Sequence, residues 1–247
     1  MNLSAEFIFL RTKEMFESFP VTDFGPCSYL PGHRESLRAC RLIGVPPFAQ
    51  ACATEIGFRR SGDIFYRPEC ENCDRCISIR VDPNRFHPTK KQRHIRNKNK
   101  DIEVSLQPIH FTDEKYILYQ RYIKARHPDS PTTDRRDIVE EVFCPHDFTM
   151  EVQYRLEGRL IGVTIVDLVS GRILSSVYHF FDPDLSARSI GTFSILAEIQ
   201  MCVDMNIPWY YLGYWVPECR KMRYKADFRP NQVLIDGEWI DNPFIDG

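Results

Sequence analysis

The sequence predicts an α+β fold: a smaller cysteine-containing N-terminal lobe, then a larger part in which antiparallel strands pack with helices. Three observations predict it. Two runs rich in β-branched and aromatic residues, Gly162-Val-Thr-Ile-Val-Asp-Leu-Val169 and Ile173-Leu-Ser-Ser-Val-Tyr-His-Phe-Phe181, flank a Ser170-Gly171 turn and read as a hairpin. Phe193, Leu196, Ile199, Gln200 and Val203 then fall on or near one helical face, and Trp209-Tyr-Tyr-Leu-Gly-Tyr-Trp215 follows as an aromatic strand. Upstream, Cys70, Cys73 and Cys76 mark a separate, loop-like segment.

In chain order, residues 1–20 give a short strand-like run and then a helix-like one. Asp23 to Arg34 holds two prolines and two glycines and reads as an ordered loop. Residues 35–56 follow helical spacing in part, interrupted by Pro46-Pro47. Gly57-Phe-Arg-Arg-Ser-Gly-Asp-Ile-Phe-Tyr-Arg-Pro68 reads as two short strands around a Ser-Gly-Asp turn. After the cysteines and a basic run come a strand at Ile102–Leu106, a helix from Asp113 to His127 and a short helical piece near Ile138. Met150–Leu156 and Arg159–Val166 then pair about Glu157-Gly158, and Asp182-Pro183 closes the later hairpin because proline cannot donate to a ladder. A soft boundary near residues 95–105 divides the chain into expected domains 1–100 and 101–247.

Composition narrows the function classes. The chain has 247 residues, 43% hydrophobic and 27% charged, with a net charge of −2, so it is globular and no polycation. No apolar run reaches the length of a membrane span, and the N-terminus lacks the pattern of a secretory leader. Nine cysteines without an export signal read as reduced thiols or metal ligands, and the expected address is the cytoplasm.

Two segments carry chemistry on their own. Cys70-Glu-Asn-Cys73-Asp-Arg-Cys76 points several sulfurs at one centre, a spacing shared with iron–sulfur and thiolate–zinc sites, and Cys27 on its Pro/Gly loop is the candidate fourth ligand. The alternative is a metal-free turn of half-buried thiols. Residues 85–100 hold seven Arg or Lys and no acid. Such a run suits phosphate neutralisation, which makes Lys90, Lys91, Arg93 and Arg96 candidate RNA contacts. Phe86 and His94 are candidates for stacking on an unpaired base. The alternative is a solvated helix face.

The order helix, strands, glycine turn, helix, strand in the second half resembles the GNAT acyltransferase fold. Its donor loop corresponds to Arg188-Ser-Ile-Gly191-Thr192-Phe193, where the last small residue is replaced by Phe193. A phenyl ring there is expected to obstruct the pyrophosphate of coenzyme A, so the resemblance implies acyl transfer from a different donor.

A closer resemblance runs through nearly the whole chain. Gly25-Pro-Cys27-x-Tyr-Leu-Pro31, Gly57-Phe-Arg-Arg-Ser-Gly62, Tyr66-Arg-Pro-x-Cys70-x-x-Cys73-x-x-Cys76, Arg121-Tyr-Ile-x-x-Arg126-His127, Ser175-x-Val-Tyr178-x-Phe-x-Asp-Pro183, Tyr211-Leu-Gly-Tyr-Trp215 and Met222-x-Tyr-Lys225-x-x-Phe228-x-Pro230 resemble the aminoacyl-tRNA–protein transferases of the N-degron pathway. The bacterial branch moves leucine from leucyl-tRNA onto proteins that begin with Asp or Glu and so marks them for degradation, and other members move arginine. The resemblance implies leucyl-tRNA (or arginyl-tRNA) and such proteins as partners. It implies no cofactor for the chemistry itself, and an iron–sulfur cluster or zinc at Cys27, Cys70, Cys73 and Cys76. Because an aminoacyl ester is already activated, positioning supplies most of the catalysis. Tyr178 and Tyr214 are candidate donors to the oxyanion, and Arg188 and Lys225 are candidate partners of the acceptor's carboxylate. Two rival readings are a coenzyme A-dependent N-acetyltransferase and a non-enzymatic, metal-containing RNA-binding module.

Overall fold

The computed structural model describes residues 3–126 and 135–245 and contains both helices and strands, as an α+β fold requires. Its contacts divide the chain into two compact units, residues 1–86 with 211–247, and residues 87–210.

The first unit opens with α1 (Leu3–Glu17), then β1 (Val21–Pro26), β2 (Arg34–Arg41), α2 (Pro47–Glu55), β3 (Arg59–Ser61), β4 (Ile64–Pro68) and β5 (Ile77–Val81). Strands β1–β2–β4–β3 form an antiparallel sheet in that order. Two expectations fail here. The strand-like run expected at the start of residues 1–20 is helical instead: α1 is continuous and carries Phe16 inward, where its ring lies 5.1 Å from Phe58 and 5.6 Å from Phe65. The helical spacing in residues 35–41 yields to a strand, because β2 is hydrogen-bonded on both sides, to β1 and β4. Tertiary pairing outweighs local periodicity over so short a run. The two strands expected around Ser61-Gly62-Asp63 are β3 and β4.

The second unit contains α3 (Lys90–Lys98), β6 (Ile102–Pro108), α4 (Asp113–Arg126), α5 (Arg136–Val142), β7 (Thr149–Leu156), β8 (Arg159–Val169), β9 (Ile173–Phe181) and α6 (Ile190–Asp204). Strands β6 to β9 are an antiparallel meander, with Ile165 opposite Tyr178 and Thr164 opposite His179. Leu118, Tyr119 and Ile123 of α4 bury against Val163, Ile165 and Phe180. The order helix, strands, glycine-containing turn, helix, on which the acyltransferase-like expectation rests, is present. His127, expected to end α4, lies outside the described residues.

The boundary between the units falls inside β10 (Trp209–Trp215). Beyond it, β11 (Asn231–Ile235) pairs antiparallel with β5 and with β12 (Glu238–Asp241). This pairing groups residues 211–247 with the first unit, whereas the sequence reading groups them with residues 101–210. Among the described residues, no helix is long and apolar enough to cross a membrane.

Candidate functional site

In the first unit the candidate side chains converge on the end of β10. Gly213 has φ +82°, and a Cβ built on it would lie 3.0 Å from Cζ, 3.1 Å from Nε and 3.2 Å from Nη2 of Arg59. The Arg59 guanidinium therefore rests on bare backbone, a close approach that any side chain at 213 would block. The next residue, Tyr214, donates its hydroxyl proton to the Gly57 carbonyl at 2.8 Å, with the Tyr66 carbonyl 3.2 Å away. Its ring packs at 6.2 Å from that of Tyr66. The one phenolic proton is thus spent on the backbone, and Tyr214 holds β3 and β4 in place. Lys225 lies on a 3-10 turn, Arg223–Asp227, and its Nζ donates to the Tyr214 carbonyl at 2.7 Å. Desolvation, and then the positive charge of Arg59, push the Lys225 pKa down to about 7.

The same unit gathers the four predicted thiols. Burial first, and then Cys70, Cys27 and Cys73, raise the Cys76 pKa to about 12, so the sulfurs are electrostatic neighbours. Cys70 is raised by burial too. The Tyr29 amide donates to Cys27 Sγ and the Ser36 amide to Cys70 Sγ, both at 3.4 Å. Neutral thiols are favoured here, with Cys70 Sγ donating to the Ser36 carbonyl at 3.6 Å, and no three of the four sulfurs lie within 4.8 Å of one another, so the thiols are gathered in one region without forming a closed ligand set. Glu35, its carboxyl raised by burial, raises the Tyr29 and Tyr66 phenols and Cys76 in turn.

The second unit places the remaining candidates. Lys90, Lys91, Arg93, His94 and Arg96 are all exposed on α3, while Gln92 and Ile95 turn inward. Thr89 and Gln92 form a capping box that starts this helix, Thr89 Oγ1 accepting from the Gln92 amide at 3.2 Å. Arg188 forms a two-pronged ion pair with Asp101, at 2.7 and 3.0 Å, and its carbonyl accepts from Asn99 Nδ2 at 2.9 Å. An acceptor carboxylate would have to displace Asp101. Tyr178 is half-buried beside Tyr119, ring centroids 6.0 Å apart, and burial raises its phenol so that it keeps its proton.

Two expectations are corrected. The Phe193 ring, expected to stand at the donor loop, is buried in the core, edge-on to Tyr154 at 6.1 Å, on the face by which helix α6 packs. Phe86 is already stacked on Phe228 at 6.2 Å, in the first unit, and is engaged in packing instead of awaiting a base. Arg59 is a neighbour of this cluster that sequence reasoning did not single out. It stands in the quoted Gly57-Phe-Arg-Arg-Ser-Gly62 motif without a role. The available signal was Gly213, a lone glycine inside an aromatic strand, which marks a close backbone approach.

Family models for the arginine-tRNA-protein transferase N terminus and C terminus match residues 25–94 and 114–235. Among curated relatives, the aspartate/glutamate leucyltransferase of Pseudomonas putida strain F1 is 38% identical over 227 residues, covering 90% of this chain and 95% of the relative. That of Marinobacter nauticus is 37% identical over 243 residues, covering 93% and 96%. Solved structures are more distant: L-PGS from Bacillus licheniformis superposes with a TM-score of 0.43 at 14% identity, covering 57% of this chain and 46% of that one.

Proposed function

This chain belongs to the arginine-tRNA-protein transferase family, and we propose that it transfers leucine from leucyl-tRNA to the α-amino group of proteins that begin with Asp or Glu. The observation that carries this reading is the end-to-end similarity, above a third identical, to relatives named aspartate/glutamate leucyltransferase. A degradation mark on the acceptor and a cytoplasmic address, where charged tRNA is found, belong to the same reading.

The reaction needs an amine that has lost its proton. The amine nitrogen attacks the ester carbonyl carbon of leucyl-tRNA, an amide bond forms, and the bond to the ribose oxygen breaks, that oxygen taking up a proton. An α-amino group has a reference pKa near 8, so a base poised close to neutrality removes its extra proton at little cost. Lys225 is that base in this proposal, because burial and Arg59 hold its pKa near 7 while its Nζ is fixed on the Tyr214 carbonyl. Tyr178, a phenol that stays protonated, is proposed as donor to the oxyanion, and Tyr214 as a positioning residue. Lys90, Lys91, Arg93 and Arg96, exposed along α3, are proposed to neutralise tRNA phosphates. Cys27, Cys70, Cys73 and Cys76 would hold an iron–sulfur cluster or zinc, which would supply folding free energy to their loops.

Arginyl transfer is the second reading, favoured by the description of the family model. Incubating the protein and an Asp-initiated peptide with labelled leucyl-tRNA, arginyl-tRNA or acetyl-CoA separates the readings. Label is expected in the peptide from leucyl-tRNA. Label from arginyl-tRNA instead moves the chain to the second reading, and label from acetyl-CoA overturns both.

A further inference from the structure

We propose that the turn after β10 is a second RNA-docking surface, on which Arg220, Lys221, Arg223 and Arg229 neutralise phosphates at the unpaired 3′ end of the aminoacyl-tRNA. The inference rests on the reading of the chain as a tRNA-dependent transferase and adds a contact surface to it.

Charge is the first observation. From Arg220 to Arg229 the chain holds five Arg or Lys and one acid, Asp227, in a protein of net charge −2. Lys225 is half-buried and donates to the Tyr214 carbonyl, which leaves four cations, all exposed. Elsewhere in this unit pairing is the rule: Arg34, Arg38, Arg41, Arg67, Arg75 and Arg80 each meet a carboxylate. Glu218, the acid just ahead of the turn, is held by Arg75 at 2.7 Å. Among the described residues, none of the four outward cations has an ion-pair partner. An incoming phosphate therefore displaces water and counterions, with no resident acid to remove.

Bracing is the second observation. Trp215 Nε1 donates to the Arg223 carbonyl at 3.2 Å. Asn231 Nδ2 donates to the carbonyls of Ala226 at 3.2 Å and Phe228 at 2.9 Å, and all three of these residues are buried. The Phe228 ring stacks on Phe86 at 6.2 Å. A backbone fixed from beneath carries its cations in place before a ligand arrives, so less order has to be imposed on binding.

The kind of polyanion follows from what else the turn holds. Tyr224, 40% exposed, stands between Arg223 and Lys225. An exposed ring among cations is the pattern of single-stranded nucleic-acid sites, where aromatic faces stack on unpaired bases. Lys225, the proposed base, lies on the same turn. The ester that reacts beside it is carried by the 3′-terminal ribose, so the nucleotides next to that ribose are those these cations can reach. An acceptor protein is the rival partner. It brings one side-chain carboxylate beside its reacting amine, whereas four fixed cations suit the repeated charge of a phosphodiester chain.

The test is a cycle between protein and RNA. Wild type is compared with a turn variant (Arg220→Ala, Lys221→Ala, Arg223→Ala and Arg229→Ala together) and with the α3 variant that replaces Lys90, Lys91, Arg93 and Arg96 by alanine. The milder pair Arg220→Gln and Lys221→Gln serves if melts show that the turn variant does not fold. Each protein is titrated at several salt concentrations with uncharged leucine-specific tRNA, intact or lacking its unpaired 3′ nucleotides. Truncation is expected to weaken wild-type binding. The turn variant is expected to bind intact tRNA more than about tenfold more weakly than wild type at about 50 mM salt, with log K against log salt flatter by about 0.7 for each single-strand phosphate released. Truncation is expected to cost that variant nothing further, while the α3 variant loses affinity for both RNAs alike. A turn variant that binds both RNAs as wild type does, or loses the same factor for both, overturns the proposal. Unchanged tRNA binding with a raised KM for an Asp-initiated peptide gives the surface to the acceptor and overturns it too. The expected cycle in a wild type that transfers no leucine upholds the docking surface and overturns the reaction.

Discussion

Two regions of this molecule carry positive charge in opposite ways. On α3, Lys90, Lys91, Arg93 and Arg96 stand in solvent on the outer face of a capped helix. At the end of β10, Arg59 and Lys225 are half-buried and pressed against backbone, close enough that one suppresses the charge of the other. Solvated cations attract any polyanion, and their contribution fades with salt. Desolvated cations contribute little to long-range attraction but penalise a partner of the wrong charge, and salt screens them weakly. Under the proposed function, affinity for tRNA belongs to the first region and choice of acceptor to the second. A third arrangement calibrates both: Lys115 and Glu151 are buried to 3% and 1% exposure and neutralise each other at 2.5 Å.

The largest effect is expected at that third place. Lys115→Met strands Glu151 as an unpaired charge in the core and should cost roughly 3–5 kcal/mol of stability, read by chemical denaturation. A loss below about 1 kcal/mol would show that this core tolerates a lone charge, and the same doubt would then reach Lys225. Next comes Lys225→Met, expected to lower kcat for transfer about 100-fold or more, the usual contribution of a positioned base. Affinity for tRNA should be unchanged, as should the fold, because a neutral chain of similar length replaces a costly cation. Replacing Lys90, Lys91, Arg93 and Arg96 with alanine should do the reverse, flattening the dependence of log K on log salt by about one for each phosphate no longer neutralised and leaving the Asp preference intact. Binding titrations at several salt concentrations measure it.

The smallest effect is a displacement of pH profiles. Lys225 accepts a proton only when neutral, so kcat should rise as pH passes upward through about 7. Arg59→Met removes the repulsion that disfavours the protonated form, so the rise should move to higher pH. A profile that stays in place would separate the two residues. In the second unit, burial lowers the His179 pKa to about 4, while its Nδ1 lies 2.8 Å from Thr164 Oγ1 and its buried Nε2 has no partner. The unfolded chain takes up the proton below pH about 6.5 and the folded one does so only near 4, so stability should fall with pH across that window. His179→Leu should shrink that fall in pH-dependent melts.

Much of this was legible in the sequence where chemistry is local. The hairpin at 162–181, the helix beginning near 190 and the aromatic strand at 209–215 follow from period, turn residues and proline placement. The basic run is exposed because α3 needs to bury little besides Gln92 and Ile95. What stayed hidden depends on partners distant in the chain. Strand β2 is a strand because it has two neighbours, and its own sequence alternates too weakly to say so. Arg188 read as an open cation, yet Asp101, eighty-seven residues away, holds it. Phe193 read both as part of a helical face and as an obstruction at the donor loop, and its burial favours the first. Arg59 and Arg60 are adjacent and chemically identical. The fold separates them: Arg60 is buried and donates to the Gly62 carbonyl at 3.0 Å, while Arg59 is half-buried against the bare backbone of Gly213, far along the chain.

The contrast between solvated and desolvated cations is tested most directly by one set of initial rates. Leucyl transfer to Asp- and Asn-initiated peptides is followed while salt rises from about 50 to about 200 mM. The overall rate at subsaturating tRNA is expected to drop by more than tenfold, while the Asp-over-Asn ratio stays constant. A ratio that collapses in step with the rate would mean that the acceptor is chosen by solvated charge, and would contradict the placement of selectivity in the half-buried region at the end of β10.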